Sequence, residues 1–191
     1  MPDGEARGPI RDERTPPRIV SSELAFAGRV WDIRRDVFEY NGEQIARDYV
    51  DHSGAVAVLA MDDEGRVLVI QQYRHPIQSR DWELPAGLRD IAHEDPLVAA
   101  QRELAEEVDL VASDWTELID FYTSPGGSNE LIKVYLARGL SATEQVYERS
   151  EEEADIEVRW VPLDEIVDGV IEGRLQNSIL AIAALTAHAR R

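Results

Sequence analysis

Residues 86–110 read Ala-Gly-Leu-Arg-Asp-Ile-Ala-His-Glu-Asp-Pro-Leu-Val-Ala-Ala-Gln-Arg-Glu-Leu-Ala-Glu-Glu-Val-Asp-Leu, and no other stretch limits the fold as tightly. The second half predicts a helix. Asp95 stands where an N-cap carboxylate accepts from the first free backbone N–H groups, and Pro96 suits the first helical position. At about 100° per residue, Leu97, Ala100, Leu104, Val108 and Val111 fall on one apolar stripe. Glu103, Glu106 and Glu107 fall together on a different face. Like charges three and four residues apart cost about 0.2–0.5 kcal/mol per pair. Carboxylates in the last turn also oppose the negative end of the helix dipole. No Lys lies on this helix, and Arg102 alone cannot neutralise three carboxylates. A solvated acidic face is the plain alternative. A hard divalent cation, which takes oxygen ligands, would relieve the repulsion outright.

The rest of the composition narrows the classes of partner. The 191 residues support one domain, or one domain with a small addition, and a hydrophobic fraction of 43% with four Trp suffices for a core. A net charge of −18 argues against a general nucleic-acid or anionic-membrane surface, which needs clustered Lys and Arg. An anionic substrate would have to be met by local cations and a few placed arginines. With no Cys, disulfides, thiolate zinc sites and cysteine nucleophiles all drop out. No apolar run reaches the roughly 18 residues of a membrane span, and the polar start carries no apolar signal region. A cytoplasmic location is expected.

Along the chain, residues 1–18 read as a flexible tail rich in Pro, Gly and charge. Residues 19–53 predict two or three strands, with Asn41-Gly42 as a hairpin turn. This block is too small to bury both its faces, so it is expected to pack on the main domain or, as a dimerisation subdomain, on a second subunit. Residues 54–191 form the main domain. Ala55–Met61 predicts a buried strand, with Val67–Tyr73 returning as its antiparallel partner after the turn Asp62-Asp63-Glu64-Gly65. Trp82–Pro85 predicts a short strand ahead of the acidic helix, and Leu118–Tyr122, Leu131–Leu136 and Ile156–Val161 predict three more. Helices are expected near Leu163–Glu172 and Asn177–Ala189. This order implies an α/β sandwich, a mixed sheet between helices.

At Gly87, Glu94, Arg102-Glu103-Leu104-Ala105-Glu106-Glu107 and Leu110 the chain resembles the Nudix box. It departs from the family pattern twice. Six residues, not five, separate Gly87 from Glu94, and Asp109 replaces the closing Gly. Asp is among the few residues that tolerate the left-handed conformation expected there, and neither change touches a carboxylate. The resemblance implies a Nudix-type α/β/α sandwich that hydrolyses a nucleoside diphosphate linked to another group. It also implies two to three Mg²⁺ or Mn²⁺ ions. Glu103 and Glu107 would be the principal ligands, with Glu106 sharing a further ion and the Ala86 carbonyl as an additional donor. Glu94 and Arg102 would hold the loop against the helix, and Gly87 would support the same turn.

The substrate must be chosen elsewhere. Tyr122–Glu130, containing Ser124-Pro125-Gly126-Gly127, could be a plain turn, but beside the box it is similar to the loop of the ADP-ribose pyrophosphatase branch. That likeness implies that Glu130 accepts from hydroxyls of the terminal ribose, with Gly127 in the same binding loop. Gln71-Gln72-Tyr73-Arg74 and Trp82-Glu83-Leu84-Pro85 are also similar to that branch. Arg74 would neutralise the diphosphate, with Glu83 at the site and Arg47 a further candidate; a solvated strand end is the alternative for Arg74. In Glu148–Asp155 the resemblance points to Glu152, with Glu153 next, as the base that deprotonates the attacking water, Glu106 being a third catalytic carboxylate. The expected reaction is hydrolysis of ADP-ribose to AMP and ribose 5-phosphate by a symmetric homodimer. Another nucleotide sugar such as GDP-mannose, or a non-catalytic module that senses ADP-ribose, are the alternatives.

Overall fold

The computed structural model describes residues 8–145, 147 and 155–191. The chain forms two compact units that part between Tyr49 and Val50. The first is a three-stranded sheet of β1 (Ile19–Phe26), β2 (Asp32–Tyr40) and β3 (Glu43–Asp51), in the order β1-β2-β3. β1 and β2 pair antiparallel. Asn41 and Gly42 both adopt positive φ, 52° and 84°, which gives the primed hairpin turn that matches strand twist. Arg35 and Asp48 join β2 to β3 through two hydrogen bonds of 2.7 and 2.8 Å. β1 is exposed along its whole length, so this small unit does not cover its own apolar side chains.

The second unit is built around β4 (Ala55–Ala60), all six residues of which are buried. Alternation along a strand sends Val56, Val58 and Ala60 to one face and Ala55, Ala57 and Leu59 to the other. The first set packs with Ala99, Ala100 and Leu104 of α1 (Pro96–Val108). The second packs with Leu163 and Ile166 of α2 (Leu163–Ile171) and Leu180 and Ala184 of α3 (Ser178–Ala189). β4 is therefore the middle layer of an α/β/α sandwich. Its sheet is mixed, in the order β7-β4-β9-β8. β7 (Ala86–Leu88) runs antiparallel to β4, β9 (Leu131–Ala142) parallel to it, and β8 (Leu110–Tyr122) antiparallel to β9. A second sheet has the order β10-β5-β6, from β10 (Glu157–Pro162), β5 (Arg66–Arg74) and β6 (Ser79–Glu83). No helix among the described residues is long and apolar enough to cross a membrane.

Three expectations need correction. β4 and β5 meet only at the Met61–Val67 bridge and then part into different sheets. Each is buried on both faces, and each gains two hydrogen-bonded neighbours as an interior strand of its own sheet, where a hairpin at an edge would give one. The strand expected at Trp82–Pro85 ends at Glu83, because Leu84 and Pro85 carry the chain from β6 to β7. Pro85 lacks an N–H, but its carbonyl still accepts from the Val58 N–H at 2.8 Å. Val111 is not on the helical stripe. Asp109, at φ 55° and ψ 35°, closes α1 in the left-handed conformation, and Val111 falls in β8.

Candidate active site

Helix α1 begins and ends as its sequence dictates. The Asp95 carboxylate accepts from the Leu97 N–H at 2.8 Å, and the Asp109 N–H donates to the Ala105 carbonyl at 3.1 Å. Between these caps, the periodicity that buries Leu104 puts Arg102, Glu103, Glu106 and Glu107 against the loop that precedes the helix.

Arg102 is the organiser of that loop. Its Nε and Nη2 donate to the two oxygens of Glu94 at 3.2 and 3.1 Å. Its Nη1 donates to Glu103 at 2.6 Å and to Glu106 at 3.0 Å. The hydrogen bond to Glu94, then the charge of Glu103 and the hydrogen bonds to Glu103 and Glu106, outweigh burial and hold its pKa far above the ordinary arginine value. Glu94 is thus tied to the helix across the long loop. Just before Glu94, His93 adopts a positive φ of 67°.

Glu107 is buried, with 6% exposure, and one of its oxygens accepts from the Ala86 N–H at 2.9 Å. Gly87, the next residue, touches Glu103 so closely that a Cβ there would overlap its carboxylate. The chain at Ala86-Gly87 and the acidic face of α1 are therefore one structure. Glu94, Glu103 and Glu106 bring three carboxylates to the single guanidinium of Arg102, and Glu107 adds a fourth at Ala86. That donor set, all oxygen and in charge excess, fits a hard divalent cation. Among the described residues no three acidic or imidazole side chains already converge as a cage. Glu103 and Glu106 are turned to Arg102, and Glu107 to Ala86.

Arg74, at the end of β5, and Glu83, at the end of β6, pair with each other. Two hydrogen bonds of 2.8 and 2.6 Å run from the guanidinium to the carboxylate, and Gln72 donates to the same carboxylate at 3.2 Å. Glu83 is buried while Arg74 is half exposed, so the buried acid orients a cation that faces outward.

The Ser124–Glu130 loop turns on hydrogen bonds from Gly127 and Ser128 N–H to the Ser124 carbonyl, at 2.9 and 3.0 Å. The Gly127 carbonyl accepts from Val50 at 2.9 Å, which anchors the loop to the chain leading into β4. Glu130 accepts from the Thr123 hydroxyl through one oxygen and lies 3.1 Å from His52 Nε2 through the other. His52 was not marked by the sequence reading. It lies 78 residues before Glu130, and no motif or spacing joins the two. Arg47 is exposed on β3 in the first unit, where its guanidinium donates to the Ala46 carbonyl at 2.8 Å. Glu152 and Glu153 lie outside the described residues.

An α/β/α sandwich that presents a glutamate face of one helix, locked by an arginine to the loop before it, defines a class of metal-assisted phosphohydrolase. The chain belongs to the Nudix family: the model of the NUDIX domain matches residues 51–179. Members of this family typically use divalent metal ions. The chain is 45% identical over 171 residues to an ADP-ribose pyrophosphatase of Mycobacterium tuberculosis, covering 89% of this chain and 82% of that one. It is 37% identical to a methanol dehydrogenase activator of Bacillus methanolicus, over 92% of each chain. It is 39% identical to an ADP-ribose pyrophosphatase of Bacillus subtilis, over 82% of this chain and 84% of the other. A crystal structure of an ADP compounds hydrolase superposes with a TM-score of 0.76 at 20% identity, covering 94% of this chain and 96% of that one, a likeness of fold.

Proposed function

We propose that the protein hydrolyses ADP-ribose to AMP and ribose 5-phosphate, with two to three Mg²⁺ or Mn²⁺ ions at the acidic face of α1. The observation that carries this reading is the close approach of Ala86-Gly87 to Glu103 and Glu107, which sets two glutamates of α1 against the loop before it. Similarity to two ADP-ribose pyrophosphatases supports the choice of substrate. Bound divalent ions would neutralise the diphosphate and lower the pKa of water.

The chain's own groups do the rest. Glu103, Glu106, Glu107 and the Ala86 carbonyl hold the ions. Arg74, kept in plane by Glu83, offers a planar cation to the diphosphate. Glu130 accepts from hydroxyls of the terminal ribose, with Gly127 shaping the loop. Glu152, with Glu153 beside it, takes the proton of the attacking water, which adds to the adenosyl-side phosphorus. The exposed apolar side chains of the N-terminal strands, among them Ile19, Leu24 and Phe26, support self-association as a homodimer.

Product analysis in ¹⁸O water tests both substrate and regiochemistry. The label is expected in AMP; label in ribose 5-phosphate would overturn the proposed point of attack. Initial rates on a panel of nucleotide sugars test the substrate itself, and a clear preference for GDP-mannose over ADP-ribose would replace it. Binding of ADP-ribose without turnover at saturating metal would leave a sensing module.

A further inference from the structure

His52 sits between two fixed contacts, with its side chain 5% exposed. Its Nδ1 accepts from the Gly54 N–H at 2.9 Å, so the neutral ring carries its proton on Nε2. That Nε2–H faces Glu130 at 3.1 Å. Burial holds the imidazole below its ordinary pKa, and the Glu130 charge only partly opposes this, so the neutral tautomer is the resting form. The backbone on each side is clamped as well. The His52 N–H donates to the Asn129 side-chain carbonyl at 2.7 Å, and the Asn129 amide donates to Asp51 at 3.1 Å. Glu130 is held in turn by Thr123 on its other oxygen and by Ser128 at its N–H. Each carboxylate oxygen has two lone pairs, and these donors take one on each side. The remaining pair of acceptors suits two neighbouring hydroxyls of a sugar.

We propose that His52 is a positioning residue for substrate recognition: its Nε2–H fixes the plane in which Glu130 receives the vicinal hydroxyls of the ligand's terminal sugar. This rests on the reading of Glu130 as the sugar-recognising carboxylate. An unrestrained glutamate would have to be ordered on binding, and His52 has already ordered it. The effect therefore belongs in KM and not in the chemical step.

Steady-state kinetics of the full chain with ADP-ribose, for H52F, H52Q, E130Q and the H52F/E130Q double variant, test this. H52F is expected to raise KM about five- to tenfold with kcat within about twofold, the size of effect that freeing one long side chain produces. H52Q, whose amide N–H can still reach Glu130, should restore most of the affinity. In the E130Q background H52F should add nothing. A fall in kcat at unchanged KM, or a KM effect that multiplies undiminished on E130Q, overturns the role of His52. An unchanged KM for E130Q alone overturns the sugar reading of Glu130 instead, before His52 enters. Should H52F fail to fold, ¹⁵N shifts of the His52 ring in the wild-type protein decide the matter in metal-free buffer. A protonated Nε2 whose shift moves on adding ADP-ribose supports the proposal, and a protonated Nδ1 overturns it.

Discussion

The carboxylate of Glu103 fills the space that a side chain on residue 87 would need. Any side chain here acts on its neighbour by contact and not through backbone conformation, since the φ of Gly87 is not among the positive ones and the Glu103 carboxylate would have to shift. A side chain added at residue 87 therefore displaces a proposed metal ligand.

Gly87→Ala should push Glu103 off its position while leaving the cores on both sides of β4 intact. Turnover at saturating Mg²⁺ is expected to fall by about 10- to 100-fold, the usual cost of disturbing a ligand's support. Rate measurements across a Mg²⁺ titration check this. Wild-type activity with wild-type metal dependence would show that Glu103 holds no ion.

Glu107→Gln keeps an oxygen that can accept from Ala86 and removes the charge. The protein should fold normally, with unchanged circular dichroism, and lose about 100-fold or more in kcat at saturating Mg²⁺. Full turnover would move the metal assignment away from Glu107.

Arg102→Ala leaves Glu94, Glu103 and Glu106 without their shared guanidinium. Arg102 is 25% exposed and Glu94 11% exposed, so the loss in metal-free buffer should be about 1–3 kcal/mol. Added Mg²⁺ should recover more stability in the variant than in the wild type, because the cation takes over the neutralising role. Urea denaturation with and without Mg²⁺ measures the difference, and equal recovery in both proteins would argue against a cation site at this face.

Stability should depend on His52 at mildly acid pH. Burial sets its folded pKa below the ordinary value of 6.5. Between the two values the unfolded chain binds more protons than the folded one, so stability rises with pH in that window. The contribution is complete above about pH 6.5 and is lost as pH falls through the lower folded value. Denaturation midpoints from about pH 8 to pH 5 should fall more steeply for the wild type than for H52Q. Parallel curves would place the imidazole in solvent.

The exposed β1 predicts self-association. Sedimentation should give a species of twice the 21.5 kDa chain mass, and a fully active monomer would end the homodimer reading.

Much of the site's helix was legible because its determinants are local. Asp95 as N-cap, Pro96 at the first turn, Asp109 in the left-handed closing position and the Arg102–Glu94 tie all depend on residues close in sequence. The lengths of β8 and β9 were less legible. Residues 110–117 mix Ser, Asp and Thr among Leu110, Ala112 and Trp115, which weakens the alternation that marks a strand. Pairing with β9 supplies the backbone hydrogen bonds that make up for it.

The sequence by itself determined the glutamate-bearing helix, its caps and the buried identity of β4, since periodicity and charge need no knowledge of what lies across space. The class of chemistry was legible only through the likeness of residues 87–110 to the Nudix box. Only the tertiary structure decided that β4 and β5 part into two sheets, that Arg74 rests on Glu83, and that His52 grips Glu130. Each of those is a choice of partner between segments whose own patterns leave several partners equally open. Burial, which no single segment can report about itself, made the choice.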